Sequence, residues 1–207
     1  MPNPSHLAGS VRRQEAGSRR STLENRDSVL VIPWAGSIIT RRKTHVMIPP
    51  DLHEFLEAGV SVLVGTRSDR LLPEAARGLA ARVEAGGAEL TVFLPKATSD
   101  QTIEYLRHNG RIAVCVSRPC DHRSVQLKGS VISIREADES DRQHILQYRI
   151  ALAETWGTIG IPPRITLRMS HWPCHAVRLR AESIFNQTPG PGAGNSLATP
   201  DTGGVGR

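Results

Sequence analysis

The feature that most constrains this fold is a series of short apolar segments, rich in β-branched residues and separated by Gly, Pro or Asn. Six segments have strand length and this composition: Ser61–Thr66, Leu79–Glu84, Glu89–Pro95, Arg111–Ser117, Ser124–Ile134 and His175–Phe185. Short strands at hairpin spacing pair antiparallel, so the pattern predicts an α+β, mainly β chain built on a six-stranded antiparallel barrel. Gly129, inside the fifth segment, indicates a bulge or a bend, with which a long strand of a small barrel turns a corner.

Three helical segments interrupt the strands. Pro50 has the first-turn position of a helix that ends at Gly59, and Asn109-Gly110 closes a second helix. The third helix is predicted over Asp138–Thr155, where apolar residues recur at helical spacing. We expect these helices at the periphery of the barrel.

Composition changes near both ends of the chain. Residues 1–46 mix Pro, Gly, Ser and Arg, and residues 189–207 are rich in Gly and Pro. Such segments bury too little apolar surface to offset their ordering entropy. The sequence therefore predicts a flexible basic N-terminal segment (1–46), one folded domain (47–188) and a Gly/Pro-rich C-terminal tail (189–207).

The net charge of +6 is concentrated near the start of the chain. The first 47 residues hold eight basic and three acidic side chains, which leaves 18 basic and 17 acidic in the remainder. A nucleic-acid-binding domain needs a basic patch on a folded face. Because the predicted domain is almost neutral, we expect no nucleic-acid partner.

The cysteines and the hydropathy pattern suggest a compartment. The three cysteines form no CxxC pair, which disfavours a disulfide framework and fits a reducing environment. The sequence shows neither the apolar core of a signal peptide nor an apolar run of membrane-spanning length. These features predict a cytoplasmic protein without a membrane partner.

The order of motifs over residues 71–129 resembles the pyridoxamine 5′-phosphate oxidase-like family. The resemblance rests on Pro73 opening a strand, on Asn109-Gly110-Arg111 leading into another, and on the segment 125–129 (VQLKG). The final strand and the QTPGPG sequence after Phe185 are similar to the ends of small members of that family. The resemblance implies a split-barrel fold, a homodimer, and FMN bound in a groove between the two subunits.

The resemblance also implies residues for the flavin. An Arg and a Lys five residues apart reach the phosphate and ribityl chain in the family, and Arg77 and Arg82 have that spacing here. Arginine suits this role because its planar fork binds a phosphate through two hydrogen bonds. Residues five apart on a strand point to opposite faces, so both could face inward only with a bulge, for which Gly78 is suited.

Other candidate flavin contacts follow from the same resemblance. The true oxidases carry an adjacent Arg-Lys pair where this chain has residues 97–102, and Lys96, Thr98 and Ser99 are the candidates to replace it. On the fifth segment, Ser124 and Gln126 are candidates for the isoalloxazine edge, and Lys128 for the phosphate or for solvent. The family's C-terminal Trp, Arg and Leu substrate motif is missing. We therefore do not expect oxidation of pyridoxamine phosphate.

Three functions stay open at the level of sequence. The first is an FMN-dependent oxidoreductase acting on an unidentified small molecule. The second is a split-barrel dimer that binds another cofactor, such as haem or a deazaflavin, and the third is a cofactor-free binding protein. No metal site is predicted, because the spacing of Cys120, His122, His171, Cys174 and His175 matches no zinc or haem-attachment motif.

Overall fold

The computed structural model of the chain describes residues 45–197. The helices of this part are α1 (Pro50–Glu57), α2 (Asp100–Asn109), α3 (Glu139–Gly157) and α4 (Pro163–Leu167), with a 3₁₀ turn at Lys96–Thr98. The strands are β1 (Ser61–Arg67), β2 (Pro73–Gly78), β3 (Ala80–Val83), β4 (Glu89–Pro95), β5 (Arg111–Ser117), β6 (Ser124–Glu136) and β7 (Cys174–Asn186). None of the described helices has the length and apolar character needed to cross a membrane.

The strands form one antiparallel sheet in the order β2-β1-β5-β6-β7-β4-β3. Its two edge strands, β2 and β3, are consecutive in the chain and are separated only by Leu79. The sheet must therefore curl until its two edges approach each other. The mainly β, antiparallel architecture with peripheral helices is as predicted, but the strand number is wrong, because the sheet has seven strands and not six.

The strand missing from the six predicted segments is β2, which begins at Pro73 as the family resemblance implies but whose sequence PEAARG lacks the β-branched residues that mark the others. It pairs with β1 up to Gly78, where an added Cβ would lie 2.6 Å from Val62 Cγ1. One residue later, the Leu79 N–H donates to Phe93 O of β4 at 2.8 Å. The chain thus leaves one edge of the sheet and joins the other, because glycine permits the close approach at the crossing.

The sheet is irregular at Gly129 as predicted, but the extra residue is Glu182 of the neighbouring strand β7. The β6–β7 register shifts between Lys128 and Gly129, and a Cβ at Gly129 would lie only 2.0 Å from Arg180 O. A second shift separates Val131 from Ser133, and here the extra residue, Ile132, belongs to β6.

The helices cover the buried interior of the sheet. Leu56 of α1 and Ile145 of α3 are fully buried, and the Tyr148 hydroxyl of α3 donates to Leu56 O at 3.0 Å. At the start of α3, Asp138 accepts from the Asp141 N–H while the Asp141 side chain accepts from the Asp138 N–H, which is a capping box. The third helix matches its prediction, whereas α4 was not predicted.

The predicted terminal segments fall mostly beyond the part that is described. Of the N-terminal segment (1–46), only His45 and Val46 are described, and the Val46 N–H donates to Ala181 O at 3.1 Å. Of the C-terminal tail (189–207), residues 189–197 are described, and the Leu197 N–H donates to Ile184 O at 2.8 Å. The remaining residues of both segments lie outside the described range.

Candidate functional site

Three of the predicted site residues lie on the same surface of β6. Val125 and Leu127 point into the core, so the alternating side chains of Ser124, Gln126 and Lys128 point outward. Ser124 Oγ donates to His122 O at 3.0 Å, and the exposed Lys128 ammonium lies 5.1 Å from the centre of the Phe185 ring. The strand pattern therefore fixes their common direction.

The register extends this outer surface across four strands. Gln126 pairs with Cys115, Cys115 with Leu63, and Leu63 with Arg77, which gives one row of outward side chains from β6 to β2. The neighbouring row runs from Lys128 through Ala113 and Gly65 to Ala75. Arg77 and Gln126 are three strand spacings apart, which is roughly 14 Å.

An open groove of about 1160 Å³ follows the second row, and we call it the strand groove. Its lining residues are Gly65, Thr66, Arg67, Pro73, Glu74, Ala75, Arg111, Ile112, Ala113, Lys128, Gly129, Glu182 and Ser183. The floor is low because Gly65, Ala75 and Ala113 carry no side-chain atom beyond Cβ. The groove can therefore accept a flat group lying against the sheet.

Three cations and two carboxylates line the strand groove. Arg111 Nη1 lies 3.2 Å from Glu182 Oε2, and Ser130 Oγ donates to the other oxygen of the same carboxylate. Arg67 donates to the Ser68 carbonyl at 3.0 Å. Within residues 45–197, neither Arg67 nor Lys128 forms an ion pair with a carboxylate. These two cations are available to an anionic ligand.

The two arginines of the predicted phosphate site are separated by the strand break at Leu79. Arg77 lies on the outer surface of β2, where Nη1 donates to Ser61 Oγ at 3.1 Å and the guanidinium lies 5.4 Å from the centre of the Trp156 ring. Arg82 lies on β3, and its Nη1 is 2.9 Å from Asp141 Oδ1. Arg82 therefore pairs with the first turn of α3 and does not line the strand groove.

Lys96, Thr98 and Ser99 lie at another end of the sheet, between β4 and α2. The Lys96 ammonium pairs with the Glu136 carboxylate, and its hydrogen bond helps to hold the Glu136 pKa below its usual value. Thr98 is exposed, whereas Ser99 is buried and its hydroxyl donates to Pro95 O at 2.7 Å. The structure does not bring these three residues to Lys128.

The strand groove includes functional candidates that the sequence analysis missed. Arg67 and Arg111 end or begin strands, and Glu182 lies on the last strand. Alternation along β1 could have indicated that Arg67 shares its surface with Gly65 and Leu63. Which strands are neighbours depends on the sheet order, however, and the sequence alone did not contain it.

The cysteine and histidine side chains do not form a metal centre in the described part of the chain. No group of three or more His, Cys, Asp or Glu side chains within residues 45–197 is arranged to hold an ion. Cys115, next to the strand groove, is half-buried, and burial raises the pKa of its thiol. This thiol is therefore protonated at neutral pH and weakly nucleophilic.

No protein-family model matches the chain, and no curated protein matches it either. Similar solved structures do exist. HupZ of Group A Streptococcus is 18% identical, with 72% of this chain and 100% of that chain covered and a TM-score of 0.44. HutZ of Vibrio cholerae, a haem storage protein, is 13% identical, with 68% and 94% covered and a TM-score of 0.39.

A third similar structure is a Clostridium acetobutylicum protein of the pyridoxinephosphate oxidase family, which is related to general stress protein 26 of Bacillus subtilis. It is 16% identical, with 73% of this chain and 92% of that chain covered and a TM-score of 0.42. The solved structures similar to this chain thus include a member of the oxidase family that its sequence resembles.

Proposed function

We propose that this protein is an FMN-dependent oxidoreductase whose flavin lies in the strand groove, with its phosphate held by Lys128 and Arg67. The observation that carries the proposal is one groove with a low floor and two cations that have no carboxylate partner in the described part of the chain. Together they match a ligand that is flat at one end and anionic at the other. FMN has both properties.

The floor of the strand groove determines what can lie there. Gly65, Ala75 and Ala113 stand side by side on β1, β2 and β5, so a planar ring can contact the backbone of three adjacent strands. Larger side chains at these positions would hold the ring away from the sheet. Gln126 is on the neighbouring row, where its amide can donate or accept a hydrogen bond at the edge of the ring.

The cations determine where the phosphate goes. Arg111 is already paired with Glu182, so its charge is partly neutralised. Lys128 lies over the face of the Phe185 ring and has no carboxylate partner among residues 45–197, so its ammonium can bind a phosphate oxygen. Arg67 provides a second charge on the rim of the groove.

A bound flavin would supply the hydride or electron transfer, whereas the chain binds and orients it. In this proposal Lys128 and Arg67 neutralise the phosphate, and the three small residues align the ring. Cys115 keeps its proton because burial raises its pKa, so it adds no competing thiolate beside the ring. The chemistry asked of these residues is positioning and charge, which is what the groove can provide.

The homodimer and the small-molecule substrate belong to the same proposal. Leu63, which is 43% exposed, lies on the outer surface one row from the floor of the strand groove. An apolar side chain beside an open groove favours a second copy of the chain as its cover. The substrate would then enter between the two copies.

Another cofactor is the main alternative. Haem needs an axial ligand, and the described residues that line the strand groove include no His, Cys, Met or Tyr. A deazaflavin shares the flat ring and the phosphate, so the same groove suits it. The absorption spectrum of the bound cofactor distinguishes a flavin from a deazaflavin and from haem.

The test is a visible spectrum of the purified protein followed by a titration with FMN. We expect flavin absorption and a Lys128→Ala variant that binds FMN about 10- to 100-fold more weakly, since a charge-assisted phosphate contact contributes about 1.5–3 kcal/mol. Lys96→Ala is the matched control, because Lys96 is paired with Glu136 outside the groove.

Failure of the wild-type protein to bind FMN would overturn the proposal. Equal affinities of Lys128→Ala and the wild type would remove Lys128 from the site. Light scattering on the same samples tests the dimer, which a stable monomer at micromolar concentration would contradict.

A further inference from the structure

The second unusual surface of the molecule is on the α3 and α4 side. Half of the exposed large apolar side chains of the described residues lie here, five of ten. They are Leu146, Ile150, Ile159, Ile165 and Leu167, and we call them the helical surface. Because α3 also buries Ile145, Tyr148 and Leu152 on its inner side, it is apolar on two sides. A helix of this kind normally has both sides covered.

The helical surface is held in place by a buried arginine. Arg149 of α3 is 4% exposed, and its Nη2 donates to Leu167 O at 2.7 Å and to Met169 O at 3.1 Å. These bonds fasten the C-terminal end of α4 to the middle of α3. Thr166 is buried between the two exposed side chains of Ile165 and Leu167. The short helix therefore presents its aliphatic residues in a fixed position.

The charges around the helical surface have one predominant sign. Between Gln143 and Cys174 the only acidic residue is Glu154, whereas Arg164 and Arg168 flank the exposed aliphatic residues of α4. Both arginines are exposed, and neither forms an ion pair among residues 45–197. A partner for this surface must combine apolar groups with negative charge.

The shape of the helical surface favours a broad partner. The strand groove and two further cavities, of about 430 and 600 Å³, are lined by strands, α1, α2 and loops, and by no residue of α3 or α4. A short acidic peptide would need a groove between the helices to seat its side chains. Aliphatic side chains flanked by arginines, on a surface outside these three cavities, match the interface of an anionic lipid layer.

We propose that the helical surface binds peripherally to anionic membranes, with Ile165 and Leu167 entering the headgroup region and Arg164 and Arg168 contacting lipid phosphates. This contact needs no membrane-spanning segment, so the absence of an apolar run, from which the sequence analysis expected no membrane partner, does not exclude it. It is also independent of the flavin, because the strand groove contains none of these residues. The proposal therefore adds a location on the membrane surface to the proposed flavin chemistry.

The test is co-sedimentation of the full chain with vesicles of phosphatidylcholine alone and with vesicles containing one-quarter phosphatidylglycerol. We expect binding to the anionic vesicles only. The double variant Arg164→Gln/Arg168→Gln should bind about 25-fold more weakly, since each basic residue near an anionic surface changes the affinity about fivefold. Ile165→Ser/Leu167→Ser should bind about tenfold more weakly.

Matched controls separate the helical surface from other exposed residues. Ile132→Ser removes an exposed aliphatic side chain from β6, and Arg70→Gln removes an exposed charge from the β1–β2 turn, so neither should change binding. Circular dichroism checks that every variant stays folded.

Two results would overturn the proposal. One is a wild-type protein that does not bind the anionic vesicles. If the α4 variants then abolish self-association or the capture of an acidic protein, the helical surface binds that partner and not a membrane. The other is vesicle binding that both α4 double variants retain, which would assign it to another basic segment such as residues 1–47.

Discussion

Two regions of the molecule contain clustered cationic side chains, and the cations of the two regions differ in whether they are paired with carboxylates. In the first, the strand groove, Arg67 and Lys128 have no carboxylate partner within the described residues. In the second, Arg82 and Arg135 converge on one buried carboxylate, Asp141, at 2.9 and 2.5 Å. We call this second region the Asp141 cluster. The difference indicates that the neighbours of a cationic side chain, and not its residue type, determine whether it stabilises the fold or can bind a ligand.

Burial accounts for the contrast between the two regions. Asp141 is 1% exposed, and leaving its charge without partners in the interior would be costly, so both arginines there stabilise the fold. The groove cations lie over a floor of small residues in contact with solvent, and the fold does not need them as partners for a buried charge. A ligand can therefore use them. Four substitutions test this division, the first being Lys128→Ala above, and three more follow.

The largest effect is expected from filling the floor of the strand groove. Ala113→Trp should reduce FMN binding at least about 100-fold, because the indole would occupy the space of the flavin ring. Ala113 points outward and is half-buried, so the thermal midpoint should change little. Ser133→Trp, an exposed position of β6 on the side of Arg178, is the matched control and should bind FMN normally. Normal binding by Ala113→Trp would move the flavin out of the groove.

The Asp141 cluster should show the opposite behaviour. Asp141→Asn should lower the free energy of unfolding by about 2 kcal/mol at pH 7, since charge-assisted hydrogen bonds from two arginines are weakened. Its FMN affinity should stay at the wild-type value. Urea unfolding and flavin titration measure the two quantities. A flavin defect in a well-folded Asp141→Asn variant would contradict the division.

The pH dependence of the Asp141→Asn effect tests its electrostatic origin. Burial alone would raise the Asp141 pKa, but hydrogen bonds from Arg135, the Asp138 N–H and Arg82 bring it below the usual value. A carboxylate with a lowered pKa stabilises the fold above the pKa of the unfolded chain, about 3.9, and loses this contribution as the pH falls through the folded value. The difference between wild type and Asp141→Asn should therefore shrink below about pH 4.

The strands with strong β-branched patterns were predicted from the sequence. A strand whose formation depends on pairing with a neighbouring strand was not among the predicted segments. Arg111–Ser117 is a strand as predicted, and the irregularity predicted at Gly129 is present, although its extra residue belongs to β7. The strand at Pro73–Gly78 has no such pattern and exists because β1 offers it an edge. Local sequence contains little information about such an edge.

The candidate site was predictable only within one strand. Alternation placed Ser124, Gln126 and Lys128 on one surface because their spacing of two is a local property. The pairing of Arg82 with Asp141 joins residues 59 positions apart, and the meeting of Arg67 with Lys128 in one groove depends on the order β1-β5-β6. Neither follows from spacing along the chain.

We expect the smallest of these effects for Arg77, whose contacts share features with the cations of both regions. It has no carboxylate partner among residues 45–197, yet it donates to Ser61 Oγ and stacks on Trp156 at the edge of the sheet, outside the lining of the groove. Because its charge acts on the flavin from the neighbouring row, Arg77→Ala should weaken FMN binding by about tenfold or less. Arg70→Ala, an exposed arginine of the β1–β2 turn, is the control and should have no effect. If Arg77→Ala weakens binding as much as Lys128→Ala in the same titration, the phosphate lies toward β2, and Arg77 must be counted with the groove cations.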